Sequence, residues 1–309
     1  MISQSQLKKF IALLRQGELV SFPTETVYAL AGDARQSVAI KKIFALKRRP
    51  LHQPLSVLLK NAGDVSGWAE RPSAAARCLI NYFWPGPLTV LLSKKADVIP
   101  LLVGGGNKIG LRVPDHPVAQ AVLTAFGSGL AAPSANRSAD LSPTQPSHVQ
   151  QAFGSHFPGL IKGGVCTLGV ESTIVDMTTP IPTIVRLGLI PQRALQQVLG
   201  EELLLEAPAL MSKLTLRLQP VKRGDLTRVV IDYLSQHKSV AVLASQTPGL
   251  TDSRLRWFAM PEAASDYLRA FYRCLHSVKQ CAFDVVLVEV LPCGQEWDKV
   301  ATLLPPIIM

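Results

Sequence analysis

The stretch "IGLRVPDHPVAQAVLTAFGSGLAAPSANRS" (109–138) sets the architecture. Residues 109–114 read as an apolar strand, 116–126 carry apolar residues at helical spacing, and 130–134 return to a short strand. Strand, helix and strand in close succession point to an α/β layout. The stretch then runs into small polar residues, Ser134, Asn136, Arg137, Ser138, Ser142 and Thr144, around Pro133 and Pro143. Such a run cannot build a core, so it reads as an exposed loop whose hydroxyl, amide and backbone groups are available for binding.

Outward from this unit the same alternation fills the first two hundred residues. Strands are expected at 18–23, 55–59, 88–92, 160–164, 172–177 and 183–188. Helices are expected at about 3–16, 37–46, 73–83, 146–153 and 191–199, several opened by a cap or an N1 proline such as Ser37, Pro72 with Ser73, or Pro191. The strands are short and partly adjacent in sequence, which favours a twisted mixed sheet over a regular doubly wound one. Near residue 200 the periodicity is lost. We read 1–205 as one domain, 206–222 as a linker and 223–309 as a smaller α/β domain, because two helix–strand units follow the linker. That second unit carries no glycine-rich phosphate fingerprint.

Composition excludes several classes. Of 309 residues 48% are hydrophobic and 17% charged, too apolar for disorder, yet no apolar run reaches the roughly 18 residues that cross a bilayer. The opening "MISQSQLKKFIALLRQGELV" reads as an amphipathic helix without the apolar block and cleavage site of a signal peptide. Five scattered cysteines, with no C-x-x-C pair, argue against a disulfide framework and a zinc site, and the cytoplasm is the expected compartment. The six histidines (52, 116, 148, 156, 237 and 276) show no metal spacing, so no metal ligands are assigned. Net charge is +10; residues 1–205 hold 20 Lys and Arg against 12 Asp and Glu, whereas 206–309 hold 12 against 10. The partner of the first part is therefore expected to be anionic, as nucleotide phosphate or RNA.

Four stretches carry candidate chemistry, each with a plain structural alternative. "FPTETVYAL" (22–30) reads by itself as a strand-to-helix turn with capping hydroxyls, and the cations of "ALKRRP" (45–50) complement a helix dipole. Arg112 differs in kind, since an arginine in an apolar strand needs a buried carboxylate or a bound anion to offset its desolvation. Ser134 and Asn136, two apart at a strand end, can point the same way. "GVESTIVDM" (169–177) and Arg186 in "VRLG" add polar groups at strand ends. Together they suggest one shared anion pocket. "VGGGNK" (103–108) lacks the spacing of a phosphate-binding loop and reads as a flexible connection, and "WPGPLT" (84–89) as a rigid turn.

In order and spacing, "FPTETVYAL", "KRRP", "WPGPLTVLL", "LRVPDHP", "AAPSANRS…SPT", "GVESTIVD" and "VRLG" resemble the YrdC-like family of threonylcarbamoyl-AMP synthases across residues 1–205. The trailing unit resembles the extra C-terminal, Rossmann-like domain of its long form. The resemblance implies a reaction of L-threonine, bicarbonate and ATP, assisted by Mg²⁺, that yields threonylcarbamoyl-adenylate and pyrophosphate. It further implies a downstream threonylcarbamoyl-transferase complex that modifies tRNA. By position it assigns Thr24, Ala132 and Ser172 to threonine, Lys47 and Arg49 to a basic catalytic pair, and Lys47, Arg112, Ser134, Asn136, Ser142 and Arg186 to the nucleotide. Three positions depart from the family pattern: Ala29 replaces a glycine, Lys108 a threonine and Leu58 a histidine. The linker "APALMSKLTLRLQP" (207–220) also lacks the usual His-Tyr pair, which places gating by it in doubt.

Two other functions fit the same charge pattern. One is a module binding double-stranded RNA or tRNA, whose affinity would fall steeply with salt. The other is a carbamoyl-transfer paralogue using another amine, whose adenylate formation threonine would not stimulate.

Overall fold

The computed structural model describes residues 2–155, 157, 159–206, 218–247, 249–291, 294, 297 and 300. The chain divides into two compact units, residues 1–138 with 142–208, and residues 139–141 with 209–309.

In the first unit, α1 (Gln4–Arg15) opens on a capping box at Ser3 and buries Phe10, Ile11 and Leu14. It is followed by β1 (Val20–Pro23), β2 (Tyr28–Asp33), α2 (Ser37–Lys47), β3 (Val57–Leu58), α3 (Ala74–Phe83), β4 (Leu88–Ser93), β5 (Lys108–Arg112), α4 (Pro117–Phe126), β6 (Leu130–Ala131), α5 (Pro146–Phe153), β7 (Thr173–Asp176), β8 (Thr183–Arg186), α6 (Gln192–Leu199) and β9 (Leu204–Leu205). The strands form one mixed sheet in the order β1-β2-β6-β3-β5-β4-β7-β8-β9. Along β2 and β3 successive side chains enter different clusters. Tyr28, Leu30, Val57 and Leu59 join one with α2 and α3, while Ala29, Ala31 and Leu58 join another with α1 and α4. That period of two is what a sheet covered on both faces requires.

Three expectations are corrected. "FPTETVYAL" is not a strand-to-helix turn, because Pro23 pairs with Tyr28 and the segment is a hairpin between antiparallel β1 and β2. β2 lacks the β-branched residues that mark strands, and burial on both faces selects its Ala and Gly instead. Residues 160–164 form no strand; Leu160 makes only an isolated bridge to Ser21, and Gly164 takes φ +87°. The buried Tyr28 hydroxyl holds this segment, donating to Gly164 O at 2.7 Å and accepting from Gly163 N at 3.2 Å. The N-cap position of α2 is Gln36, not Ser37, and it makes no side-chain capping bond, whereas Ser73 does cap α3 through its side chain.

The second unit contains β10 (Leu218–Val221), α7 (Leu226–Ser235), β11 (Val240–Ala244), β12 (Leu255–Ala259), α8 (Ala264–Cys281) and β13 (Val285–Glu289). Its sheet is wholly parallel in the order β10-β13-β11-β12. Residues 218–221, read from sequence as the end of the linker, are thus a strand. The remainder of that linker, 207–217 with Pro208, lies outside the described residues, as do His156 and Cys293. Among the described residues no helix is long and apolar enough to cross a membrane.

Candidate active site

A cavity of about 120 Å³ opens against the middle of the nine-stranded sheet. Its floor is a single row of side chains. Leu58 on β3 pairs with Arg112 on β5, and Thr89 on β4 continues that register one step past the Val90–Leu111 pair. Thr89 pairs in turn with Ile174 on β7, and Ile174 with Arg186 on β8. Strand periodicity alone would put Arg186 on the same face as Ile184, which is core. A register shift between Ile174 and Val175 breaks the period, pairing Ile184 with Val175 and Arg186 with Ile174. The bulge therefore turns a cation into the cavity while its neighbour stays in the core.

The walls come from loops at strand ends. The β1–β2 turn contributes Thr24, Thr26 and Val27, the segment after β6 contributes Ala132, Pro133 and Ser134, and the approach to β7 contributes Glu171 and Ser172. Thr24 shapes its own turn, its hydroxyl donating to Val27 O at 2.7 Å and accepting from Val27 N at 3.2 Å. Ser172 links two floor residues, sharing a hydrogen bond with the Thr89 hydroxyl and accepting from Arg186 Nη2, each at 2.8 Å. Across the cavity wall, Ser142 donates to Glu171 Oε1 at 2.5 Å.

Arg112 is 6% exposed and is gripped on three sides. Nε donates to Gly86 O at 3.1 Å, Nη1 to Thr26 Oγ1 at 2.9 Å and Nη2 to Glu25 Oε1 at 2.6 Å. The partner demanded by its burial is thus a carboxylate, and Arg112 still faces the cavity. Burial, and secondarily the charge of Glu25, raise the pKa of the Cys166 thiol, and Glu25 also opposes the fall that burial imposes on His116.

Of the residues singled out from sequence, the structure brings Thr24, Arg112, Ala132, Ser134, Ser172 and Arg186 to the cavity surface. Lys47, Arg49, Asn136 and Ser142 do not line it. Lys47, at the end of α2, is 2% exposed and sits behind the wall. Its ammonium donates to Ser134 O and Asn136 O, both at 2.5 Å, and its carbonyl accepts from Ser138 N at 2.9 Å. One residue thereby ties the 134–138 loop at three points. Burial, and secondarily the Arg49 guanidinium, lower the Lys47 pKa to about 7. Arg49 is spent on backbone, donating to Gln53 O at 3.3 Å and Pro54 O at 2.9 Å. Behind the wall, Asn136 accepts from the Ser134 hydroxyl at 2.5 Å.

Sequence reasoning missed Glu25, Thr26, Ser56, Thr89 and Glu171 as parts of the site. Glu25 and Glu171 lay inside quoted stretches, but nothing local marks which arginine or hydroxyl each meets. Of the three departures, Ala29 and Leu58 line the cavity, whereas Lys108 pairs with Asp176 at 2.6 Å. The glycine of "VRLG" also has a reason: a Cβ on Gly188 would stand 2.5 Å from Glu171 O and Thr173 N. Gly188→Ala is therefore expected to push the Glu171–Thr173 backbone aside at a cost of about 1–3 kcal/mol. Urea unfolding measures this, and wild-type stability would refute the close approach.

A buried arginine on the central strand β5 and a half-buried one on β8, set among hydroxyls on one face of a mixed sheet, define an α/β protein whose pocket suits a small anionic ligand. The family model Sua5_yciO_yrdC, described as "Telomere recombination", matches residues 12–188, and the chain belongs to this family. It is 38% identical over 196 residues to the threonylcarbamoyl-AMP synthase of Bacillus subtilis, covering 63% of this chain and 57% of that protein. It is 36% identical over 200 residues to the threonylcarbamoyl-AMP synthase of Pyrococcus abyssi, covering 65% and 59%. The matched stretches thus span less than two thirds of either relative. By structure it is similar to P. abyssi Sua5 complexed with L-threonine, with TM-score 0.86 and 27% identity over 98% of this chain and 95% of that one.

Proposed function

We propose that this protein is an L-threonylcarbamoyladenylate synthase, a nucleotidyltransferase of tRNA modification that works in the cytoplasm. The observation that carries the reading is the cavity itself, with Arg112 and Arg186 set among Thr24, Thr89 and Ser172 in a fold shared along its length with a threonine-bound relative.

The chemistry asks for charge neutralisation and positioning. The amine of L-threonine attacks the carbon derived from bicarbonate, giving a carbamate as water leaves. A carbamate oxygen then attacks the α-phosphorus of ATP, and the bond to the β-phosphate oxygen breaks to release pyrophosphate. Several anionic groups share one small space, so fixed cations and hydroxyls lower the barrier without a covalent nucleophile. Thr24, Ala132 and Ser172 hold threonine in this reading. Arg112, Ser134 and Arg186 serve the nucleotide from the cavity surface, Asn136 and Ser142 serve it through their hydrogen bonds to Ser134 and Glu171, and Lys47 and Arg49 support them from behind the 134–138 loop and the end of α2.

Among the described residues no three His, Cys, Asp or Glu side chains gather to hold a metal. Mg²⁺ accordingly enters as MgATP, on phosphate oxygens, as that hard and reluctantly dehydrated cation prefers. The transferase complex and tRNA act on the product. A surface that binds RNA is disfavoured by the burial of Arg112, since backbone phosphates are met by exposed cations.

The test is incubation of the purified protein with ATP, bicarbonate and each amino acid in turn, with the adenylate detected by mass. Threonine-dependent adenylate and pyrophosphate are expected. Adenylate indifferent to threonine would assign the paralogue with another amine. No adenylate, with RNA binding that falls steeply as salt rises, would assign the RNA module.

A further inference from the structure

Glu25 is in the family motif stretch but has no role in the reading above. It is 3% exposed and meets Arg112 through one oxygen only, Oε1; the other, Oε2, is buried without a hydrogen-bond partner. A carboxylate kept for stability alone would have both oxygens satisfied, or be replaced with its partner by apolar groups. Here the pair is one-sided on both members. Of the five N–H groups of Arg112, three are taken by Gly86 O, Thr26 Oγ1 and Glu25 Oε1, which leaves one on each terminal nitrogen.

From this geometry we infer that Glu25 is a positioning residue that sets the anion affinity of the cavity. It aims the Arg112 guanidinium and cancels most of its charge, so that the two remaining N–H groups bind a carboxylate or phosphate by directed hydrogen bonds more than by net attraction. An uncompensated arginine in so small a cavity would hold an anionic product too tightly for turnover. The adjustment therefore trades affinity for release. This rests on the synthase reading only for what the anion is, L-threonine carboxylate or pyrophosphate.

Two substitutions separate aim from charge. Glu25→Gln keeps an acceptor for Arg112 Nη2 and removes the charge; Glu25→Asp keeps the charge and withdraws it from the guanidinium. Titration calorimetry on the full chain, with pyrophosphate in one arm and L-threonine in the other, identifies the anion by which arm responds. For Glu25→Gln we expect at least threefold tighter binding in one arm, with a lower KM if that ligand is L-threonine or a lower product-inhibition constant if it is pyrophosphate, and kcat reduced severalfold. For Glu25→Asp we expect affinity within twofold of wild type and kcat reduced at least tenfold. Unchanged or weaker binding of both anions by folded Glu25→Gln overturns the inference, as does an absence of measurable binding to either protein. Should Glu25→Gln fail to fold, wild-type kcat in Glu25→Asp overturns it. Should no protein form adenylate while Glu25→Gln still binds pyrophosphate more tightly, the synthase reading fails and this one stands.

Discussion

Arg112→Leu is expected to reduce threonine-dependent adenylate formation by about 10²–10³-fold, the loss typical when a preorganised donor is removed from a developing anion. The same substitution is expected to destabilise the fold, because Glu25 is then a buried carboxylate whose cation is gone. Removing one partner of such a pair costs about 3–5 kcal/mol. Replacing both partners, as Arg112→Leu with Glu25→Leu, should recover much of that stability, since no unpaired charge remains. It should not recover activity. Urea unfolding and pyrophosphate release, measured on the wild type, both single variants and the double variant, resolve the two effects. If the double variant unfolded no later than Arg112→Leu, the ion pair would not explain the instability. If Arg112→Leu stayed folded and fully active, Arg112 would have no part in the reaction.

Much of this fold is legible because local signals agree with the tertiary structure. Among the described residues the six α-helices of the first unit appear where apolar spacing puts them, and β4, β5, β7 and β8 where apolar runs do. The failures share a cause. "YALAGD" looks like a poor strand, and only its position between β1 and β6, buried on both faces, makes it one. "LIKGG" looks like a strand, but its tie to the Tyr28 hydroxyl and its glycines bend it away. For the site, the need of Arg112 for a partner was legible from one strand, whereas the identity of Glu25 was not. That contact spans 87 positions. The aim of Arg186 was hidden as well, since it depends on a register shift that neither strand reveals alone.

Lys47→Met is the substitution whose outcome depends most on pH. Met fills a similar volume and cannot donate, so Ser134 O and Asn136 O each lose the ammonium; of its three ties to residue 47 the 134–138 loop keeps the backbone one, beside its bond from Ala135 N to Tyr28 O. Ser134 lines the cavity, so we expect adenylate formation to fall by at least about 10²-fold, in keeping with a misplaced first-contact group. Stability should follow the proton. The Lys47 pKa is near 10.5 when unfolded and about 7 when folded. Below pH 7 both states carry the proton and no slope arises. Between pH 7 and 10.5 the unfolded chain holds a proton that the folded chain has shed, so wild-type stability rises with pH relative to Lys47→Met. The slope approaches roughly 1 kcal/mol per pH unit. Above pH 10.5 the difference levels off. Paired urea titrations at pH 6, 7.5 and 9 read it directly: a gain for the wild type over the first interval that is roughly half the gain over the second. Parallel curves at all three would mean that the ammonium keeps its proton in the folded state. In that case its contacts with the two loop carbonyls, rather than burial, set its charge. Anion binding on the other side of the wall favours the charged form in either case. Ligand should therefore shrink the alkaline gain, linking loop order, protonation and occupancy of the cavity through one side chain.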